Sequence, residues 1–243
     1  MSTDLIFAAI LPELVLCGTG ILIMVVDPFL DRRNKSFSAA IALFGLAAAA
    51  TAALIAGRLP AGTAFSGMVS LDLFGVYFRL VFYLIGALVA LAARDYLERE
   101  QLPPGEFYAL LVFAIVGMDF MAVASDLVMT FIGLEILSVA TYVLAGLRRT
   151  DPRSNEAGLK YFFMGAFSSA LLLYGIALVY GCAGTTEFAG ILAALQGPKI
   201  RIGTFREKEA KLDPGDTFVF DTDKTPGDAA RVYLPHAEIF ASA

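Results

Sequence analysis

Cysteine, histidine and charged side chains are all scarce in this sequence. Two cysteines, Cys17 and Cys182, each in or beside an apolar run, cannot build a disulfide framework, and the single histidine, His236, leaves no zinc-ligand spacing. Packing is the reading left for both thiols. Only 17% of the 243 residues are charged against 58% hydrophobic, with a mean hydropathy of +0.73. That excludes an ordinary soluble domain, in which about a quarter of residues carry charge. The N-terminal MSTDLIFAAI has no basic segment. The apolar run behind it is longer than a signal-peptide core, so it reads as a first span that is retained.

The few charges are unevenly spread. Of residues 1–195, 26 are Asp, Glu, Lys or Arg, whereas 15 of the last 48 are. The composition therefore changes near Leu195, and two segments are expected: a membrane domain over 1–194 and a soluble segment over 195–243. Apolar windows of about 20 residues, the length that crosses a bilayer, fall at 5–26, 37–56 and 74–93. Residues 107–147 then form one apolar run too long for a single helix crossing a ~30 Å core. Ser125-Asp126 divides it, with Asp126 able to cap a following helix, giving spans at 107–124 and 127–147. A sixth span, 157–180, follows the polar RRTDPRSNE, where Ser154 or Asn155 is the expected cap. The expected fold is an all-α polytopic membrane protein of about six transmembrane helices with a short β-rich tail.

Cytoplasmic loops hold the excess of Lys and Arg. The loops after spans one, three and five carry Arg32, Arg33, Lys35, Arg94, Arg99, Arg148, Arg149 and Arg153, while the N-terminus and the other two loops carry only Arg58. Both ends of the six-span unit are therefore predicted to face outward.

An ionisable side chain inside a span costs at least about 2.5 kcal/mol and marks a functional position by default. Glu135 lies nine residues past Asp126, about 14 Å along a helix and so in mid-membrane. A carboxyl there that can gain and lose a proton suits a relay. Lys160 sits about a turn inside the sixth span; it could pair with Glu135, or its ammonium could snorkel to the surface. Glu13, beside Pro12, Arg79 and Asp119 are weaker candidates, for which structural roles stand beside proton roles. Asp72 and Asp126 begin helices, where capping accounts for them. Gly165 and Ser169, four apart, form a small-xxx-small pattern suited to close helix packing.

The segments ASDLVMTFIGLEILSVATYVLAGL and NEAGLKYFFMGAFSSALLLYGIALVYG closely resemble subunit N of bacterial NADH-quinone oxidoreductase, respiratory complex I, and DLIFAAILPELVLCGTGILIMVVD fits the same family. This resemblance covers residues 1–195. It implies an antiporter-like subunit in the bacterial inner membrane, in which Glu135 and Lys160 belong to the proton path. It implies partners among the other membrane subunits and the lipid bilayer, with no nucleic acid. No cofactor or metal is expected on this chain; NADH and quinone are used by the parent complex. Related subunits of sodium/proton antiporters and membrane hydrogenases share the pair. The family has about fourteen spans, so with six the chain reads as truncated, without independent pumping.

From Leu195 the pattern changes to strands and turns: KIRIGTF alternates, DPGD and TDKTPGD are turns, and TFVF and ARVYLP are short apolar runs. At best a small hairpin sheet is expected. The run LQGPKIRIGTF and its continuation resemble a fragment of pyruvate kinase leading into its lid domain. Ala194 stands where that family has a potassium-binding Asp, and the catalytic lysine and magnesium-binding carboxylates have no counterpart. Two incomplete parts suggest a fusion or an assembly chimera, with no phosphotransfer expected.

Overall fold

Apolar stretches of this length satisfy their own backbone only by coiling, since hydrocarbon offers no hydrogen-bonding partner. The computed structural model describes residues 3–30, 36–195, 202–206, 209, 217–228 and 230–234, and shows this outcome. Helix α1 (Thr3–Val26) ends in a single 3-10 turn over Asp27–Phe29. It is followed by α2 (Ser36–Ala56), strands β1 (Gly62–Ala64) and β2 (Val69–Leu71), and α3 (Leu73–Arg99). Then come α4 (Pro104–Ala122), α5 (Leu127–Ala145), α6 (Pro152–Ala183) and the short α7 (Phe188–Leu195). Helices α1 to α6 are long and apolar enough to cross a membrane. The chain is thus a multi-pass helical membrane protein.

The helix boundaries follow local chemistry. Asp126 begins α5 as its sequence position predicts, its Oδ1 accepting from the Val128 and Met129 N–H groups at 2.7 and 3.4 Å. Asp72 caps α3 in the same way, accepting from the Gly75 N–H at 2.7 Å. The start of α6 differs from expectation. Its cap is Asp151, which accepts from the Arg153 N–H at 2.9 Å, not Ser154 or Asn155. Pro152 explains the shift, because its fixed φ and missing N–H suit the first helical position. Ser154 and Asn155 instead donate to the Ala145 and Arg149 carbonyls at 3.0 and 2.9 Å, tying α6 to the end of α5. Helix α3 continues through the charged RDYLER to Arg99, six residues past the apolar window.

Helices α1 to α4 share the main apolar core, built from Leu16 and Ile23 of α1, Leu46 of α2, Ala90 of α3, and Val112 and Ile115 of α4, all essentially inaccessible. Helix α4 packs on α1, α2, α3 and α5, whereas α6 packs on α5. Between α4 and α5 the backbones come close at Gly117 and Gly133: a Cβ on Gly117 would lie 2.6 Å from the Gly133 carbonyl oxygen. Most of α6 is exposed, including Phe163, Met164, Phe167 and Tyr174; Ile176 is its buried residue.

One end of the bundle is closed by a feature that the sequence did not announce. Strands β1 and β2 pair as an antiparallel hairpin across residues expected to form a plain loop. The hairpin is stitched to the α4–α5 junction, where the Ser70 and Ser125 N–H groups donate to the Val123 and Met68 carbonyls at 2.7 and 2.9 Å. The junction in turn holds the α6–α7 turn: the Leu127 N–H donates to the Thr186 carbonyl at 2.9 Å, and the Thr186 hydroxyl donates to Asp126 Oδ2 at 2.5 Å. The opposite end carries the ion pairs Arg148–Glu100 and Arg149–Glu106.

The chain divides into two compact units, Met1–Leu192 and Ala193–Ala243. In the second, β3 (Val219–Asp221) and β4 (Arg231–Tyr233) pair in parallel, not as the expected hairpin. The nine-residue connection makes this feasible by folding on itself. Arg231 grips both oxygens of Asp221 at 2.5 Å and the Asp223 carbonyl at 2.7 Å. Residues 199–201 of the alternating KIRIGTF run, the DPGD turn and His236 lie outside the described residues.

Candidate functional site

Glu135 lies midway along α5, partly buried, where no helix end offers it an escape to water. Its partner is Ser169 on α6, whose hydroxyl donates to Glu135 Oε1. Gly165, one turn earlier on α6, makes the approach of the two helices possible by leaving room for the Tyr142 ring of α5. The Gly165/Ser169 pair therefore does two jobs: one residue supplies space and the other a hydrogen bond to the intramembrane carboxyl.

Lys160 does not meet Glu135. Its ammonium pairs with Glu156, one turn back on α6, at 2.5 Å, and its side chain is 73% exposed. Ser169 marks the level of Glu135 on α6 and lies nine residues beyond Lys160, about 14 Å along the axis. The two charges flagged together in the sequence thus sit at different depths, with Lys160 on an uncovered face of α6.

The three weaker candidates come together instead. Glu13 of α1 and Arg79 of α3 form an ion pair in which each side chain is 1% exposed. Arg79 Nη2 also donates to the Ala9 carbonyl at 2.9 Å, in the turn before Pro12. Pro12 has no N–H to give, which takes the helical donor from the carbonyl four residues before it, that of Ala8; the guanidinium of Arg79 binds the carbonyl beside it. One turn along α3, the Tyr83 hydroxyl donates to Asp119 Oδ2 of α4 at 2.5 Å. Asp119 is fully buried. Tyr83 was not picked out from the sequence; its spacing of four from Arg79, on one face of α3, is the signal that could have found it.

Within this cluster Glu13 Oε2, Arg79 Nε and Asp119 Oδ1 have no protein partner among the described residues. A cavity of about 50 Å3 reaches Arg79 from the hairpin end, between Ala56, Gly57, Ala61, Asp72 and Val76. No group of three or more His, Cys, Asp or Glu side chains among the described residues is arranged to hold a metal. Ala194, the position of the potassium-ligand Asp in the tail's resemblance, falls in α7 and offers no side-chain oxygen.

Residues 124–208 match a family model described as NADH:quinone oxidoreductase/Mrp antiporter, TM. NADH-quinone oxidoreductase subunit N of Trichlorobacter lovleyi is 42% identical over 182 residues, covering 75% of this chain and 37% of that protein. Subunit N of Sphingopyxis alaskensis is 43% identical over 197 residues, covering 81% and 40%. Among solved structures, a chain of respiratory complex I from Thermus thermophilus with bound aureothin superposes with a TM-score of 0.59 at 28% identity, over 76% of this chain and 42% of that one. A chain of the membrane-bound sulfane sulfur reductase, an archaeal respiratory membrane complex, superposes with a TM-score of 0.63 at 20% identity, a likeness of fold alone. This chain spans about two fifths of the length of the curated relatives it matches, and over that stretch it is similar to subunit N of NADH-quinone oxidoreductase.

Proposed function

We propose that the chain is an antiporter-like membrane subunit of a proton-translocating NADH-quinone oxidoreductase, and that Glu135 is a protonation point on its path. The observation that carries this is a carboxyl in mid-membrane, hydrogen-bonded to a single hydroxyl, in a helical unit more than 40% identical to subunit N relatives. Lys160 is the second point. An ammonium on an apolar helix face, held by one carboxylate a turn away, is positioned to respond to charge on whatever covers that face. Neighbouring membrane subunits of the complex are the natural partners, and the NADH and quinone chemistry belongs to the parent complex. A place in a sodium/proton antiporter or membrane hydrogenase is the alternative.

The concentration of arginines at the end carrying Arg148 and Arg149 supports placing that end in the cytoplasm of a bacterial inner membrane, with the hairpin end outside. The test of function is Glu135→Gln at the matching position of a full-length relative assembled in its complex. Fewer protons pumped per quinone reduced is the expected result; an unchanged ratio would sink the assignment.

For the second unit, the resemblance of LQGPKIRIGTF to pyruvate kinase supports a foreign origin with no phosphotransfer activity. The family match continues thirteen residues past Leu195, so the join is better placed as a stretch compatible with both parents than as a sharp boundary. Sequencing single DNA molecules across the codons for residues 185–205 tests it: reads that cross intact make the fusion physical, and their absence makes it an artefact of assembly.

A further inference from the structure

Two carboxylates and one guanidinium lie together in the α1–α3–α4 core. With every group ionised the cluster carries one uncompensated negative charge, fully buried, in a bundle that crosses hydrocarbon. Such a charge is among the costliest features a membrane protein can hold. Among the described residues no other ionisable group cancels it. On α1 the next is Cys17, one turn on; α2 has none along its length; Glu135 of α5 is turned to Ser169. Asp72, at the cavity mouth, is committed to the Gly75 N–H.

The hydrogen-bonding count points the same way. One donor, Arg79 Nε, and two acceptors, Glu13 Oε2 and Asp119 Oδ1, are buried without a protein partner among the described residues, which is rare for groups so deeply placed. Water at these atoms would satisfy them but leave the excess charge. A proton on one carboxyl oxygen removes the charge and turns an acceptor into a donor. The cavity beside the β1–β2 hairpin has Arg79 in its lining, so it brings room for water to the guanidinium of the cluster.

We propose that Glu13, Arg79, Asp119 and Tyr83 form a hydrated site holding one exchangeable proton between the two carboxyls, in contact with water at the hairpin end through the cavity beside Ala61. Protonation takes a proton that arrives from bulk solution as hydronium in the cavity, leaving neutral water and forming one O–H bond on a carboxyl oxygen, and deprotonation returns the proton to water by the same path. Arg79 compensates the one carboxylate left when the proton is bound, and Tyr83 holds the orientation of Asp119. The site is separate from Glu135 and does not depend on its role.

Infrared spectroscopy of the full chain in lipid nanodiscs tests this. At neutral pH the chain should show the carbonyl stretch of one buried protonated carboxyl, shifting when water is replaced by deuterium oxide. Because either substitution alone restores charge balance, Glu13→Gln and Asp119→Asn should each abolish the band, while Glu135→Gln should leave it. Tyr83→Phe, a milder change that tests the site if the carboxyl variants misfold, should move the band without removing it. Ala61→Phe, an exposed position narrowing the cavity, should slow its deuteration. No band in the unaltered chain, a band that survives either carboxyl substitution, or one indifferent to Tyr83→Phe would overturn the shared proton. Unaltered deuteration in Ala61→Phe would overturn the route.

Discussion

Tyr83 and Asp119 join neighbouring membrane helices through one hydrogen bond of 2.5 Å, with both side chains shut off from the surface. Among the described residues neither side chain makes another hydrogen bond, so this is the polar contact of each in the α3–α4 interface. Tyr83→Phe removes the donor and leaves both Asp119 oxygens without a protein partner. A buried polar group stripped of its partner costs about 1–3 kcal/mol. Thermal unfolding in detergent should show a loss of that size for Tyr83→Phe, and a much smaller effect for Tyr96→Phe, whose side chain is exposed on the same helix.

The Glu13–Arg79 pair leads to a prediction about non-additivity. Breaking a buried ion pair by removing one partner costs about 3–5 kcal/mol, because the other charge is left unpaired. Arg79→Met should therefore be severely destabilising. The double variant Arg79→Met with Glu13→Leu should recover part of the loss, since the stranded carboxylate is gone. Stabilities measured as a double-mutant cycle check this. If the double variant is as unstable as the two single losses added, the pair is not what holds α1 on α3.

Close backbone approach makes Gly117 intolerant of any side chain. A Cβ there would stand 2.5 Å from the Leu137 N and 2.6 Å from the Gly133 carbonyl oxygen. These are backbone atoms of a packed helix, not the mobile end of a side chain, so α4 and α5 must separate. Gly117→Ala should cost about 1–3 kcal/mol, the range for overpacking a well-filled interior. Gly175→Ala, with nothing within 4 Å of the added carbon, should be neutral or slightly stabilising on helix propensity. Detergent unfolding of the two variants side by side separates them.

The six helices were legible because hydrocarbon leaves a 20-residue apolar run few alternatives, and because Asp72 and Asp126 are strong start signals. Glu13, Arg79, Asp119 and Glu135 were also visible, as charges where charges are costly. What could not be read was which of them meet. Opposite sign suggested Glu135 with Lys160, but contacts between helices depend on rotation about each axis, and one residue turns a side chain by about 100°. The carboxyl found a hydroxyl, and the lysine found the glutamate one turn away. The β1–β2 hairpin escaped because its strands are three residues each, too short for an alternation to register.

In the second unit, pH acts through Asp221. The Arg231 guanidinium, donating from Nε and Nη2 to its two oxygens, holds the Asp221 carboxyl below the usual aspartate range. Asp228 is lowered too, by the backbone N–H groups of Ala230 and Arg231. A carboxyl whose value is depressed on folding adds stability above its unfolded value, about 3.9 for aspartate. That stability is lost as the pH falls through the lowered value. The β3–β4 pairing should accordingly be insensitive to pH from neutrality down to about 5 and weaken only below the ordinary aspartate range. Its reporters are the Val219 and Leu234 amides, which donate to the Ala230 and Asp221 carbonyls at 2.9 and 2.8 Å. Hydrogen exchange corrected for intrinsic rates should keep these two protected to that point, and Asp221→Asn should lose the protection even at neutral pH. Protection fading between neutrality and about pH 5 would mean that the Asp221–Arg231 fork does not control the pairing, because both partners remain charged throughout that interval.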